Sequence, residues 1–387
     1  MLFRSDGQKA PPFKRPMGQR IRLGIVSADI RLHSVWMALI RGWIQSLDIE
    51  RFELVVFSLS DRTDPETDWA RSKADIFVAS PKTLSQWVAA IREQNCEILL
   101  YPAIGLHPMT LKLASLRLAP VQINTWGHPE TSGLPTLDYY VSAACFESAE
   151  AQEHYSEQLV LLPHLGNRTQ RLALTSRDPG FAALNIDLAR PILVCPGTPF
   201  KYQPEHDHVF AEIARRVPEA QLVFFQPSAT ALTTLLEIRI AKEFEAAGLN
   251  VKDHVRFIRW LDFHEYHCLL RRADVMLDTI GFSGYNTAVQ AIECGLPLVT
   301  REGRFLRGRL ASGVLRCMNL QELIVQSKPD YVNLVVRLVT DRQYQTQIRH
   351  EIEQRRSVLF DDQTAMGPFQ DFLASAARPG AQKEIPT

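Results

Sequence analysis

A glycine-containing turn between Asp278 and Thr287 is the segment best suited to bind phosphate. A buried strand is predicted to end at Asp278, and a loop with two glycines then leads into a helix. Glycines let backbone N–H groups come close to a ligand, and a helix N-terminus carries about half a positive charge. An N-capped helix after an ordinary βα turn fits the same residues. We predict a diphosphate site that needs no metal, with Gly284, Asn286 and Thr287 as its donors.

A second loop of this kind, residues 195–201, follows an earlier predicted strand and ends at Lys201. A flexible ammonium at this position can neutralise a phosphate leaving group as negative charge develops. A solvated lysine at a helix start is the alternative. We favour the functional interpretation because both loops fall in the same predicted domain, and we also assign Thr198 to this site.

Two further loops carry histidines. Residues 126–135 follow a predicted strand and suit either a cleft-lining loop or a plain structural turn, and His128 is assigned to the donor site. His33 follows the first predicted strand, where an imidazole can position or deprotonate an acceptor. The alternative for a single histidine is a surface or capping role.

The composition and the absence of several known motifs exclude some classes of function. Basic and acidic residues balance at 43 each, so no global field draws the chain to nucleic acid or membrane. No apolar run approaches the roughly 20 residues that span a bilayer, and the N-terminus lacks the apolar core of a signal peptide. There is no GxGxxG, P-loop, GxSxG or DxD motif, and 205–208 is interpreted as the polar first turn of a helix. We expect a cytoplasmic protein with reduced cysteines and without metal or cofactor.

The elements that must position these loops alternate between short apolar strands and amphipathic helices, which is typical of parallel α/β sheets. The alternation pauses over a turn-rich stretch and then restarts, so we predict two doubly wound domains. The predicted divisions are a disordered arm 1–20, a first domain 21–165, a linker 166–190, a second domain 191–345, a C-terminal helix 346–375 and a disordered tail 376–387.

The ordered series of these segments resembles the catalytic region of O-linked N-acetylglucosaminyltransferases, in particular the bacterial SPINDLY-like proteins. The resemblance covers residues from about 20 to about 359. It rests on 23–29 with His33, 118–122, 126–133, 200–202, 273–279, 284–287, 293–297 and 307–309.

This resemblance implies a GT-B fold of two facing Rossmann-like domains and a UDP-sugar donor, usually UDP-N-acetylglucosamine. It implies transfer with inversion to a Ser or Thr hydroxyl of a protein acceptor. Lys201 matches the lysine that supports the leaving diphosphate, and His33 matches a histidine of the active-site mouth. The stretch against the base corresponds to residues 260–263, of which Trp260, Leu261 and Phe263 are assigned to the donor site.

The chain also departs from the family. Tyr285 replaces a histidine of the phosphate turn, and Gln290 stands where a carboxylate holds the ribose hydroxyls. The second histidine of the animal enzymes is absent, with Glu97 near its place, and no 34-residue repeat is present. Two alternatives therefore stay open: an O-fucosyltransferase that uses GDP-fucose, and an inactive scaffold that binds nucleotide sugars.

Overall fold

The computed structural model describes residues 18–80, 83–171, 175–226 and 231–378. Of the predicted arm 1–20, residues 1–17 lie outside this range, and so does the predicted tail from residue 379 onward. The chain forms two compact units. The first unit comprises Met1–Gln170 and Asp361–Thr387, and the second comprises Arg171–Phe360.

The first unit is built on a seven-stranded parallel sheet in the order β3-β2-β1-β4-β5-β6-β7. Its strands are β1 Ile21–Ser27, β2 Phe52–Ser58, β3 Ile76–Ala79, β4 Ile98–Tyr101, β5 Val121–Thr125, β6 Tyr139–Ala143 and β7 Gln158–Leu162. Its helices are α1 Arg41–Ser46, preceded by a π-helical turn Trp36–Ile40, then α2 Pro65–Lys73, α3 Leu84–Glu93 and α4 Pro108–Ala114, and α13 Met366–Ala376 from the C-terminal end.

The second unit contains a six-stranded parallel sheet in the order β10-β9-β8-β11-β12-β13. Its strands are β8 Ile192–Cys195, β9 Gln221–Gln226, β10 Val255–Arg259, β11 Val275–Leu277, β12 Leu298–Arg301 and β13 Ile324–Val325. Its helices are α5 His208–Arg216, α6 Ala231–Ala246, α7 Val251–His254, α8 Phe263–Arg272, α9 Tyr285–Glu293, α10 Leu310–Cys317, α11 Lys328–Thr340 and α12 Arg342–Arg355.

Both sheets bury their central strands on two faces, which is why these strands are almost continuously apolar. β8 is fully buried, and β1 exposes only Arg22 in part. In each sheet the chain first adds strands on one side of the starting strand and then on the other side. This switch lies between β1 and β4 in the first unit and between β8 and β11 in the second. Open α/β sheets bind ligands outside the strand carboxyl ends at this point. The predicted fold class, two Rossmann-like doubly wound α/β domains, is confirmed for each unit.

The predicted C-terminal helix 346–375 is two helices with a break between them. After α12 and a 3-10 turn, Asp361 adopts a left-handed φ of 52°, and the Asp362 carboxylate accepts a hydrogen bond from the Thr364 N–H. These features keep the helix from continuing beyond the 3-10 turn. α13 then belongs to the first unit, where the Phe369 ring packs 4.8 Å from that of Trp43.

A close backbone contact in the first unit gives a stability prediction. An added Cβ at Gly42 of α1 would lie 2.1 Å from the Arg168 carbonyl oxygen, whereas one at Gly367 of α13 would meet nothing within 4 Å. Gly42→Ala should therefore cost about 1–3 kcal/mol of unfolding free energy, the usual range for overpacking. Hydrogen exchange of first-unit peptides in denaturant measures this cost.

Gly367→Ala is the matched control. It should change stability by less than about 1 kcal/mol. Alanine has a higher helix propensity than glycine, but the following Pro368 disfavours the helical conformation of a residue with a side chain, and the two effects are of similar size. Equal losses in both variants would contradict the close contact at Gly42.

Candidate active site

Two loops of the second unit meet at the carboxyl edge of its sheet. One follows β8 and holds Lys201, and the other follows β11 and holds Ser283. The Lys201 ammonium donates to the Ser283 carbonyl oxygen at 3.4 Å, and its Nζ lies 4.6 Å from the Phe282 ring centroid. Because β8 and β11 are paired neighbours on either side of the chain reversal, the sheet topology brings together the two loops singled out in the sequence.

The loop after β11 is organised by the buried carboxylate of Asp278. It accepts hydrogen bonds from the Ser283 hydroxyl at 2.6 Å, the Gly284 N–H at 2.9 Å and the Thr300 hydroxyl at 2.7 Å. Burial raises the pKa of Asp278, and these hydrogen bonds oppose the rise. Burial lowers the pKa of Lys201, and the charge of Asp278 acts in the opposite direction. The carboxylate therefore shapes the loop and helps to keep the ammonium charged.

Gly284 caps the N-terminus of α9 and has room for no side chain. A Cβ there would lie 2.2 Å from the Thr287 hydroxyl oxygen. The helix begins with Tyr285, Asn286 and Thr287, whose backbone N–H groups belong to the first turn and point along the helix axis toward the loop. The Tyr285 ring is buried, with 5% of the residue exposed, so its contribution to a ligand is the N–H group.

A cavity of about 350 Å³ lies next to this turn on the side of β9 and β10. Five residues assigned to the donor site from the sequence line it: Trp260, Leu261, Phe263, Thr287 and Gln290. Three lining residues were missed, Pro196, Phe225 and Tyr266, and Asp262 lies within the stretch 260–263 matched to the base. The helical spacing could have identified Tyr266, because it lies one turn after Phe263 on the same face of α8.

The cavity wall is largely aromatic, and Asp262, Thr287 and Gln290 add polar groups to it. The Phe225 ring contacts Trp260 and Tyr266 edge-on at 6.2 and 5.6 Å between centroids. The Tyr266 hydroxyl is buried and has no hydrogen-bond partner among the described residues. An apolar pocket with a few polar groups is the usual form of a small-molecule site, and a planar ring with polar edges fits this one.

The loop after β8 approaches its neighbours closely. A Cβ at Gly197 would lie 2.4 Å from the Thr279 hydroxyl oxygen, so only glycine fits there. The buried Thr198 hydroxyl has no hydrogen-bond partner within the part of the chain that the structure describes. Buried polar groups are nearly always paired, so this hydroxyl is available to a ligand or a bound water.

The two candidate histidines belong to the first unit. The Val35 N–H donates to His33 Nδ1 at 3.3 Å, and a carboxylate oxygen of Asp29 lies 3.3 Å from the same nitrogen. The capping role considered in the sequence is thus present. In the neutral tautomer that accepts the Val35 bond, Nε2 carries the proton and acts as a donor. Burial lowers the pKa of His33, whereas Asp29 raises it.

His128 follows β5 and is half-buried, and burial lowers its pKa. Its ring packs beside Gly105, where an added Cβ would lie 3.0 Å from the ring. Glu97 is at the opposite edge of the sheet, because it immediately precedes β4 and its carboxylate accepts from the Arg22 N–H at 3.3 Å. Glu97 therefore does not share an edge with the loops of His33 and His128.

Across 18–80, 83–171, 175–226 and 231–378, no three His, Cys, Asp or Glu side chains are grouped so as to hold a metal ion. Within the same ranges, no helix combines the length and the apolar character needed to cross a membrane.

Each unit contains a doubly wound parallel sheet, and the second unit carries a glycine-containing turn beside an aromatic cavity, as suits the binding of a nucleotide. Residues 7–172 and 192–366 match glycosyl transferase family 41, and the chain belongs to this family. The resemblance identified in the sequence is thereby confirmed.

Named relatives agree with the family. The chain is 26% identical over 344 residues to a protein of Petunia hybrida named probable UDP-N-acetylglucosamine–peptide N-acetylglucosaminyltransferase SPINDLY. The match covers 84% of this chain but 35% of the Petunia protein. It is 24% identical over 276 residues to the UDP-glucose:protein N-beta-glucosyltransferase of Actinobacillus pleuropneumoniae, covering 69% of this chain and 42% of that protein. The chain thus spans about a third of the length of the SPINDLY relatives.

Solved structures confirm the predicted GT-B fold class. A mutant O-GlcNAc transferase of Thermobaculum terrenum matches with a TM-score of 0.83 and 26% identity, over 97% of this chain and 71% of that one. A sucrose-phosphate synthase of Thermosynechococcus elongatus matches with a TM-score of 0.60 and 15% identity, over 92% of this chain and 100% of that one. The second likeness concerns the fold alone.

The contact between His33 and Asp29 predicts how the imidazole titrates. Removing the negative charge with Asp29→Asn removes a contribution that favours the protonated ring, so the pKa of His33 should fall further below its ordinary value. NMR titration of labelled histidine side chains measures the shift. The His128 signal is the control in the same spectra and should not move. A raised or unchanged His33 pKa would show that Asp29 does not act on the ring.

Proposed function

We propose that this protein transfers N-acetylglucosamine from UDP-N-acetylglucosamine to a Ser or Thr hydroxyl of a protein, with inversion and without a metal ion. The observation that supports this most is the convergence of Lys201 with the Asp278-anchored N-terminus of α9. Together they form a concentrated positive site, and among the described residues no three His, Cys, Asp or Glu side chains are grouped so as to hold a metal ion. The names of the family 41 relatives, including an O-GlcNAc transferase, support the donor and the acceptor class.

The donor lies across the carboxyl edge of the second sheet. Its base occupies the aromatic cavity near Trp260 and Phe263, and its ribose faces Thr287 and Gln290. Its diphosphate lies at the N-terminus of α9 beside Lys201. The geometry supports this order, because the cavity and the helix N-terminus are adjacent and Thr287 belongs to both.

The reaction is a single displacement at the anomeric carbon. The acceptor hydroxyl oxygen forms a bond to that carbon while the bond to the diphosphate oxygen breaks. The electron pair stays on the diphosphate, and the hydroxyl proton passes to this departing group. Lys201 and the first N–H groups of α9 stabilise this charge as it develops, which is electrostatic catalysis by preorganised donors. His33 serves to position the acceptor, since its Nε2 is a donor in the tautomer that caps the helix.

A second candidate keeps the fold and changes the activity. Gln290 in place of a carboxylate weakens the expected hydrogen bonding to the ribose, which favours an inactive nucleotide-sugar-binding scaffold. A GDP-fucose donor is the other candidate, because the fold alone does not fix the base or the sugar. Isothermal titration with UDP, GDP and their sugars separates the donors. A donor-hydrolysis assay separates an enzyme from a binding protein.

Lys201→Ala should lower turnover by about two orders of magnitude or more while the fold persists, the scale for losing one preorganised charge stabiliser. Steady-state kinetics with the UDP-sugar measure the loss. Lys252→Ala, at an exposed lysine of the same unit, is the control and should retain the normal rate. A near-normal rate in Lys201→Ala would remove this lysine from the mechanism.

Transfer should continue in excess EDTA, because the positive charge at the diphosphate comes from the ammonium and the helix N-terminus. The assay compares initial rates with EDTA and with added Mg²⁺ or Mn²⁺. Activity that is lost with EDTA and restored by either ion would refute the metal-free mechanism.

Gln290→Glu should tighten UDP binding by up to about 1–2 kcal/mol, since a charge-assisted hydrogen bond to the ribose replaces a neutral one. Repulsion from the diphosphate should stay small because the ribose separates the two groups. Gln290→Ala should weaken binding. If isothermal titration shows neither change, the side chain does not contact the ribose and the nucleotide must lie elsewhere.

A further inference from the structure

An arginine of α6 contacts the segment that carries Lys201. Nη2 of Arg239 donates to the Tyr202 carbonyl oxygen at 2.9 Å, one residue after Lys201. Nε and Nη2 of the same guanidinium donate to the two carboxylate oxygens of Asp207 at 2.7 and 2.8 Å. One guanidinium therefore binds both a backbone carbonyl next to Lys201 and a carboxylate that immediately precedes α5.

The ion pair between Arg239 and Asp207 is largely shielded from water. The Asp207 side chain is 3% exposed and the Arg239 side chain is 21% exposed. Burial raises the pKa of Asp207, and the hydrogen bond and the charge of Arg239 oppose the rise. A planar guanidinium bound to both oxygens of a carboxylate has a fixed orientation. The carbonyl of Tyr202 is therefore held at a defined place relative to α5 and α6.

The side chain of Tyr202 is fixed on the sheet. Its ring is buried, and its hydroxyl donates to the Cys195 carbonyl oxygen at 2.8 Å, at the end of β8. A Cβ at Gly197 would lie 3.0 Å from this ring, so the loop after β8 packs directly on it. The 3-10 turn Pro199–Lys201 therefore ends at a residue whose side chain is held by the sheet and whose carbonyl is held by Arg239.

The same segment lies against the turn between β11 and α9. The Lys201 ammonium donates to the Ser283 carbonyl oxygen at 3.4 Å. A Cβ at Gly281 would lie 2.7 Å from the Gln203 amide oxygen, so the Gln203 side chain packs on this turn. Because the segment 201–203 is held between α6 and the turn, a loss of the contact to α6 lets the ammonium move relative to the N-terminus of α9.

Building on the proposed function, we propose that Arg239 is a positioning residue that holds the Lys201 ammonium where the leaving diphosphate develops its charge. Arg239 does not line the aromatic cavity, and its contacts are to Tyr202 and Asp207. It therefore acts through the backbone next to Lys201. A displacement of about 1 Å at a reacting centre can cost about a hundredfold in rate, so such a contact matters to turnover.

A double-mutant cycle of Arg239→Met and Lys201→Ala tests this proposal. Methionine keeps apolar length but makes neither hydrogen bond. With Lys201 present, Arg239→Met should lower the turnover of UDP-N-acetylglucosamine per folded molecule by about tenfold or more. In the Lys201→Ala protein the same change should cost less than about twofold, because the group that Arg239 positions is already absent. A residue that only stabilises the fold gives the same factor in both backgrounds.

Two further variants complete the cycle. Arg239→Met combined with Asp207→Asn removes the uncompensated buried carboxylate and takes the place of the single variant if that variant does not fold. Arg349→Met is the matched control, because Arg349 of α12 is also half-buried and donates to the carbonyls of Gly295 at 3.0 Å and Ala273 at 2.5 Å. These carbonyls precede β12 and β11 at the opposite edge of the sheet, so this control should change turnover per folded molecule by less than about twofold in both backgrounds.

Equal factors for Arg239→Met with and without Lys201, or a normal rate in Arg239→Met, would overturn the proposal. If the unaltered protein binds UDP without turning over the donor, the proposed transfer fails, and the same cycle is measured as UDP dissociation constants by isothermal titration. A loss of UDP affinity confined to the protein with Lys201 then supports the positioning role, and an equal loss in both backgrounds overturns it. Absence of UDP binding by the unaltered protein overturns both proposals.

Discussion

At the end of β11, a carboxylate with almost no access to solvent accepts three hydrogen bonds and favours the charged form of a nearby lysine. The Ser283 hydroxyl, the Gly284 N–H and the Thr300 hydroxyl converge on Asp278, and its charge acts on Lys201. A buried charge is costly unless it is satisfied in this way. Because it is satisfied, the turn before α9 keeps a fixed shape, and the helix N-terminus and the ammonium face the same point.

This local constraint depends on the topology of the sheet. Paired parallel strands end at one edge, and the reversal between β8 and β11 opens a place where two loops can face each other. The aromatic cavity lies beside that place, over β8, β9 and β10. The proposed positions of the donor base and the diphosphate therefore follow the order of the strands along one edge of the sheet.

The sequence was sufficient to predict the loops that meet, because apolar strands followed by glycine-containing turns are a local pattern. Lys201 and Gly284 were identified in this way, and Trp260, Phe263 and Gln290 through the family resemblance. Phe225 was missed because its position depends on which strands are neighbours, which periodicity does not encode. Tyr285 belongs to the phosphate turn matched to the family, and the burial of its ring could not be read from the sequence. The break at Asp361 and the packing of α13 on the first unit depend likewise on tertiary contacts.

A crystal structure with UDP tests the central claim most directly. We predict density for the uracil in the cavity beside Trp260 and Phe263, and for the diphosphate within hydrogen-bond distance of Lys201 Nζ and the first N–H groups of α9. The carboxylate of Asp278 should keep its three hydrogen bonds in that complex. A diphosphate bound away from this helix, or a nucleotide bound outside the cavity, would contradict the account.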